Sequence, residues 1–276
     1  MLAEPIVRGS LAEVLASPPV AADAAVLDEV RDGLEHAAAE AVAVGGWAAD
    51  DPLRLAKGNV TWLIRCPRRA LAADEPGALL GDDLVLGLVV DAAAKLATLG
   101  ARRPITFDAA VAYLTAQDEP AVADHLADLG PSAGALRREG EGRVRAITDS
   151  WPAIEPGWWP RVEEPVRARL AGGAVTVTGR LDVLLGGPPT DRPGVVVEVK
   201  GGRWYDGMRA DGHLYALLVG LRDGVVPAAA VTVVADGTTH VEAIRPALVR
   251  HAGERRELAL RAAAPLAAGE PPEARP

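Results

Sequence analysis

Cysteine occurs once, at Cys66. This excludes an internal disulfide and any zinc or iron–sulfur site built from cysteines. No apolar run is long enough to span a membrane, and the start, Met-Leu-Ala-Glu-Pro, has no basic region followed by an apolar core, so a cytoplasmic chain without a signal peptide is expected. There is no Gly-x-x-x-x-Gly-Lys phosphate loop, no paired-histidine zinc motif and no Gly-x-Ser-x-Gly elbow. Any ATP-driven step therefore belongs to another subunit. Excess positive charge is also missing. The net charge of −9 is not that of a free-standing nucleic-acid binder, so a polyanion would need a local basic patch or a partner protein. Lysine is the scarcest charged residue: Lys57, Lys95 and Lys200 are the only three among 29 basic residues.

Lys200 ends the apolar segment Gly194-Val-Val-Val-Glu198-Val-Lys200. Strand alternation puts Glu198 and Lys200 on one face and Val197 and Val199 on the other. Arginine stays protonated, whereas lysine is a compact point charge whose pKa can shift. A carboxylate and an ammonium on one strand face fit either a metal-and-water site or a structural ion pair at a strand end.

The chain has room for one large domain or two small ones. Helical spacing is read over 21–44, 82–98, 207–221 and 246–264, with two or three short helices over 107–147 and a short helix or turn over 57–72. Strands are read over 173–178, 180–185, 194–200 and 229–235, with a turn at 186–193. Strands joined by a short turn run antiparallel, so the expected class is α/β with a mixed sheet. The expected organisation is a helical N-terminal region (1–80), a domain over 81–265 with a helical insertion at about 105–150, and a disordered tail (266–276).

The 186–193 turn brings Asp182 beside Glu198. Two adjacent carboxylates repel, and one ordinarily takes a proton. A divalent cation with a preference for oxygen removes the conflict. The plain alternative pairs Asp182 and Glu198 with nearby arginines, Arg180 first, because Arg180 shares a strand face with Asp182.

Asp182 followed by Glu198-Val-Lys200 resembles the motif of the PD-(D/E)XK nuclease superfamily. Three flanking segments are similar to its RecB/Cas4-like exonuclease branch. Arg209-Ala-Asp-Gly-His-Leu-Tyr-Ala resembles that branch's helix with a glutamine four residues before a tyrosine: Tyr215 matches, Asp211 stands at the glutamine, and His213 is available to take over part of its polar role. Gly87-Leu-Val-Val-Asp91 resembles the early helix that carries a metal-binding histidine, with Asp91 in its place. Asn59 to Arg69 resembles the Cys-Pro segment which in some members begins an iron–sulfur cluster, and a single cysteine precludes that cluster here.

The resemblance implies a restriction-endonuclease-like mixed β-sheet core flanked by helices. It implies Mg²⁺ or Mn²⁺ held by Asp91, Asp182 and Glu198, catalysis by Asp182, Glu198, Lys200 and Tyr215, and hydrolysis of phosphodiester bonds in DNA. Apart from the resemblance, Arg65, Arg68 and Arg69, with Arg137, Arg138, Arg143 and Arg145, form local basic clusters that read either as a track for a phosphate backbone or as solvated faces. Arg65, Arg68, Arg69, Asp211 and His213 are the candidate DNA contacts, with a structural role the other reading of His213. The implied partners are DNA and a helicase or other repair or defence subunit. A non-catalytic DNA-binding or scaffold subunit on the same fold is the alternative. Glu164 has a place in the resemblance without a role, and Trp158-Trp159 reads as a core wedge or a base-stacking pair.

Overall fold

The computed structural model describes residues 9–65, 80–102 and 104–267. A six-stranded mixed sheet lies between two helical layers. A capped helical turn, α1 (Leu11–Ala16), precedes α2 (Ala25–Gly45), β1 (Leu53–Ala56) and α3 (Lys57–Arg65). Then come α4 (Asp82–Thr98), α5 (Phe107–Ala116), α6 (Ala121–Leu129) and α7 (Ala133–Ser150). The sheet resumes with β2 (Arg161–Leu170), β3 (Val175–Leu185) and β4 (Val195–Lys200). The chain continues through α8 (Arg209–Asp223), β5 (Ala229–Val234), β6 (Thr239–Ala243) and α9 (Pro246–Ala267).

The pattern of side chains explains the layers. On β4, Val195, Val197 and Val199 enter a core with Val85, Leu86, Val89 and Val90 of α4, while Val196 enters a second core with Leu214 and Leu217 of α8. The chain therefore buries both faces of a strand whose alternate positions end in Glu198 and Lys200, as alternation requires. α9 packs mainly on α2, in the core that also holds Leu214 and Leu217, whereas α1 packs in the core on the other sheet face.

Topology places the site. β2 runs antiparallel along the length of β3. The other edge of β3 is divided: β1 pairs parallel with Val175–Thr178, and β4 pairs antiparallel with 183–185. Residues 179–182 lie between these two ladders. Because β1 runs with β3 and β4 runs against it, their C-terminal ends approach head-on across that gap. Lys57 follows β1, and Lys200 closes β4.

Four expectations change. The segments 173–178 and 180–185 are a single strand. β2 was not expected; it pairs only with β3, and Pro165 is tolerated on such an edge. The N-terminal region was expected to be helical, yet it supplies β1 to the sheet. β6 also escaped the sequence reading.

Two glycines set close approaches. Tyr215 lies against Gly179, where a Cβ would collide with its ring. A Cβ on Gly201 would collide with the backbone of Gly87, so α4 crosses the end of β4 in backbone contact, one helical turn before Asp91. Gly201→Ala is expected to destabilise the protein by about 1–3 kcal/mol through overpacking, read as a lower midpoint in urea. Gly202, with nothing near its Cβ position, is the control, and Gly202→Ala should shift the midpoint far less.

Candidate functional site

The head-on ends of β1 and β4 create a buried cluster of ions. Lys200 Nζ donates to Glu198 Oε2 at 2.7 Å and to Asp211 Oδ2 at 2.8 Å. Lys57 Nζ reaches the same two oxygens, at 3.2 and 3.3 Å, and lies 5.1 Å above the centroid of the Tyr215 ring. Asp211 and Tyr215 are one helical turn apart on α8, so both face the cluster. The tyrosine ring is buried in the core.

Asp182 sits where the β3–β4 ladder stops. The last backbone pair is Val183 with Val197, and beyond it Asp182 Oδ2 accepts from Val199 N–H at 2.7 Å. A side chain thus takes over a ladder hydrogen bond, and the strands part at the site. Opposite Asp182 in β2, Glu163 adopts φ +54°, a strained conformation for a residue with a Cβ. Lys95, buried on α4, joins Glu163 to Asp91. Arg180 also pairs with Glu163.

All three lysines of the chain are therefore in this one region. Each answers at least one carboxylate, but the negative charge is not fully compensated. Burial pushes Glu198 up to about 7, Asp182 adds to the effect, and Lys200 and Lys57 oppose it. Burial raises Asp182 to about 6, with Asp91 adding and the Val199 N–H opposing. Asp91 is raised by burial; Lys95 opposes this and Glu198 reinforces it. Burial, then Glu198, raises the Tyr215 hydroxyl to about 12. For Lys200 and Lys57 burial acts downward, and Glu198 and Asp211 outweigh it, so both stay firmly protonated. Asp211 is held low by the same two ammoniums against the effect of burial.

Two oxygens stand out. Among the described residues, Glu198 Oε1 and Asp91 Oδ1 are buried without a hydrogen-bond partner, although buried acceptors nearly always have one. Both belong to carboxylates of this cluster and both suit a hard cation that prefers oxygen. The described residues hold no set of three or more Asp, Glu, His or Cys side chains gathered as ligands. The carboxylates are instead drawn toward ammoniums and a backbone N–H.

Of the expected site residues, Asp182, Glu198, Lys200, Tyr215 and Asp211 come together, and Asp91 is coupled to them from the helix on the other sheet face. The arginine alternative does not describe Asp182 or Glu198, whose partners are a backbone N–H and two lysines. His213 is a correction. It is buried and bonds Glu242 Oε2 at 2.6 Å beside Arg209, because positions 209 and 213 share a different helix face from 211 and 215. It neither replaces the glutamine nor presents a surface to DNA. Burial opposes the ionisation of Glu242, but His213 and Arg209 hold it down to about 2.

Glu164 pairs with Arg222 at 2.7 Å, away from the cluster; Glu163 is the glutamate that reaches it. Trp158 is buried in a core cluster. Arg68, Arg69, Cys66 and the side chain of Arg65 lie outside the described residues. Lys57, Lys95 and Glu163 were missed. The scarcity of lysine that singled out Lys200 applied equally to the other two.

A groove of about 1140 Å³ between α4 and α7 is lined by Arg138, Arg143 and Arg203 together with Asp83, Glu139 and Asp236, and it includes Gly201, the residue after Lys200. Arg143 donates to Gly201 O at 2.7 Å. Arg137 turns away and pairs with Asp108. No helix among the described residues is long and apolar enough to cross a membrane.

No protein-family model matches the chain, and no curated protein matches it. A solved structure described as "Crystal structure of SSO0001" is similar over 71% of this chain and 84% of its own, at 14% identity and a TM-score of 0.26. A likeness at that level carries no argument about fold or function.

Proposed function

We propose that the chain is a metal-dependent nuclease that hydrolyses phosphodiester bonds in DNA, with a restriction-endonuclease-like core of the RecB/Cas4-like PD-(D/E)XK type. One observation carries the reading. A divided sheet edge gathers Asp182, Glu198 and Lys200 with Asp91 nearby, and leaves two buried carboxylate oxygens without partners. Carboxylates kept buried at a cost to stability are characteristic of working sites.

Asp91, Asp182 and Glu198 are the residues that would hold Mg²⁺ or Mn²⁺, which supplies Lewis-acid stabilisation of charge on phosphate oxygens. Lys200, tied to two carboxylates, is an ammonium and acts as a donor. It orients the attacking water or a phosphate oxygen and stabilises negative charge as it develops. The unpartnered lone pairs on Glu198 Oε1 and Asp91 Oδ1 are the ones open to such a cation. Tyr215 walls the site beneath Lys57 and keeps bulk water from Glu198. The groove lined by Arg138, Arg143 and Arg203, which touches the end of β4 at Gly201, is the surface assigned to the phosphate backbone. Repair, recombination or defence is the setting in which such an activity is used.

The alternative is a scaffold on the same fold, and the pairing of Glu198 and Asp211 with ammoniums favours it. Calorimetric titration with Mg²⁺ separates the two. A nuclease site gives a saturable heat that Asp182→Asn abolishes, and a scaffold gives no heat that depends on Asp182.

A further inference from the structure

Lys57 is surplus to the motif that carries the proposed function, yet it is as deeply involved in the cluster as Lys200. Both ammoniums converge on the same two oxygens, Glu198 Oε2 and Asp211 Oδ2. Placing like charges together disfavours each. An ion-pair network built only for stability would spread them, all the more so when the other Glu198 oxygen has no partner.

A third cation adds to the imbalance. Arg256 on α9 is 5% exposed, and its Nε has no hydrogen-bond partner among the described residues. Burial lowers it to about 10, Arg255 adds to this, and Asp211 opposes. Asp211 pairs with Lys57 and Lys200 and also acts electrostatically on Arg256, whereas Asp182 bonds the Val199 N–H and Asp91 pairs with Lys95. Two ammoniums that share one pair of carboxylate oxygens leave donor hydrogens to spare. Spare charged donors of this kind suit an anion with several oxygens.

Exposure identifies which cation such an anion meets first. The Lys57 side chain is 33% exposed, against 17% for Lys200 and 1% for Glu198. Lys57 is also the first residue of the nine-residue α3, whose N-terminal N–H groups favour negative charge.

We propose that Lys57 is the phosphate-binding residue of this site, and that Asp211 is the internal counter-ion that holds its ammonium in place until a phosphodiester takes over the contact. The ligand is a backbone phosphate of a polynucleotide, so the assignment rests on the proposed substrate class. It does not depend on cleavage. Asp211 accounts for the departure from glutamine: an amide oxygen offers lone pairs to two ammoniums but no compensating charge, and a carboxylate oxygen offers both.

The test uses the scarcity of lysine. Lysine labelled with ¹³C at Cε gives three signals in the full chain, assigned with Lys57→Met, Lys95→Met and Lys200→Met. The chelator-treated protein is titrated with a thymidylate oligomer and, separately, with inorganic phosphate. The Lys57 signal is expected to move saturably with the oligomer while Lys95 stays fixed. Lys57→Met should weaken oligomer binding, measured by fluorescence anisotropy, about tenfold or more, and Lys57→Arg should retain most of it. The proposal is overturned if the oligomer does not bind, if it binds with the Lys57 signal unmoved, or if Lys57→Met binds it as the wild type does. It is also overturned if inorganic phosphate moves Lys57 and the oligomer does not, which would make the site one for free phosphate. A moving Lys57 signal in a protein that cleaves nothing with Mg²⁺ or Mn²⁺ would leave this assignment standing and remove the nuclease reading alone.

Discussion

Lys200→Ala is expected to lower metal-dependent DNA cleavage by about 10²–10⁴-fold, the range for loss of a positioned donor or proton-transfer group. The loss should fall on kcat more than on KM. Lys57 remains beside Glu198 and Asp211 to keep the cluster together, and the groove arginines are left untouched. Lys200→Arg should rescue little. A planar guanidinium cannot reproduce a point charge 2.7 and 2.8 Å from two separate carboxylates. If Lys200 were only half of a structural ion pair, Lys200→Ala would lower stability and leave the turnover of the folded fraction unchanged.

Glu198→Gln is expected to do the opposite to stability. The folded-state pKa of Glu198 is about 7, against 4.5 for the ordinary group, because burial and Asp182 outweigh the two lysines. Between those values the folded protein holds a proton that the unfolded chain has released. Stability therefore falls as pH rises from about 4.5 to about 7, and the full penalty applies above that. The neutral glutamine carries no such penalty. In chelator-treated protein at pH 8, Glu198→Gln should be more stable than the wild type by roughly 1–3 kcal/mol, and the difference should vanish near pH 4. Saturating Mg²⁺ should narrow the gap by stabilising only the wild type. Equal denaturation midpoints at pH 8, or a glutamine variant that is less stable there, would mean that the lysines fully satisfy the carboxylate. Cleavage should be lost in the variant, the usual exchange of stability for function at a working site.

How much of this was legible beforehand depends on which contacts are local. The shared face of Glu198 and Lys200 follows from alternation, and the nearness of Asp182 follows from a short turn. Asp211 and Tyr215 share a helix face by their spacing of four. Those relations are set by nearby sequence. Lys57 is different: it reaches Glu198 because β1 lies parallel to the start of β3 and meets β4 head-on. That is a long-range pairing of a four-residue strand with no pattern of its own. Glu163 reaches Lys95 through a positive φ at a non-glycine residue, which residue type alone argues against. Pro165 concealed β2 in the same way. The longer amphipathic helices, whose periodicity is internal to each segment, were readable; the six-residue α1 was not. His213, open to a structural or a DNA-contacting role from its place among site residues in sequence, is structural, because its neighbours in space are Arg209 and Glu242.

The most direct measurement is hydrolysis of end-labelled single- and double-stranded DNA by purified protein with Mg²⁺ or Mn²⁺, run beside Asp182→Asn and Lys200→Ala and with a chelator. The expected result is cleavage by the wild type that disappears with the chelator and in both variants. Intact DNA under every metal condition, or cleavage that persists unchanged in both variants, would contradict a metal-dependent nuclease site at Asp182, Glu198 and Lys200.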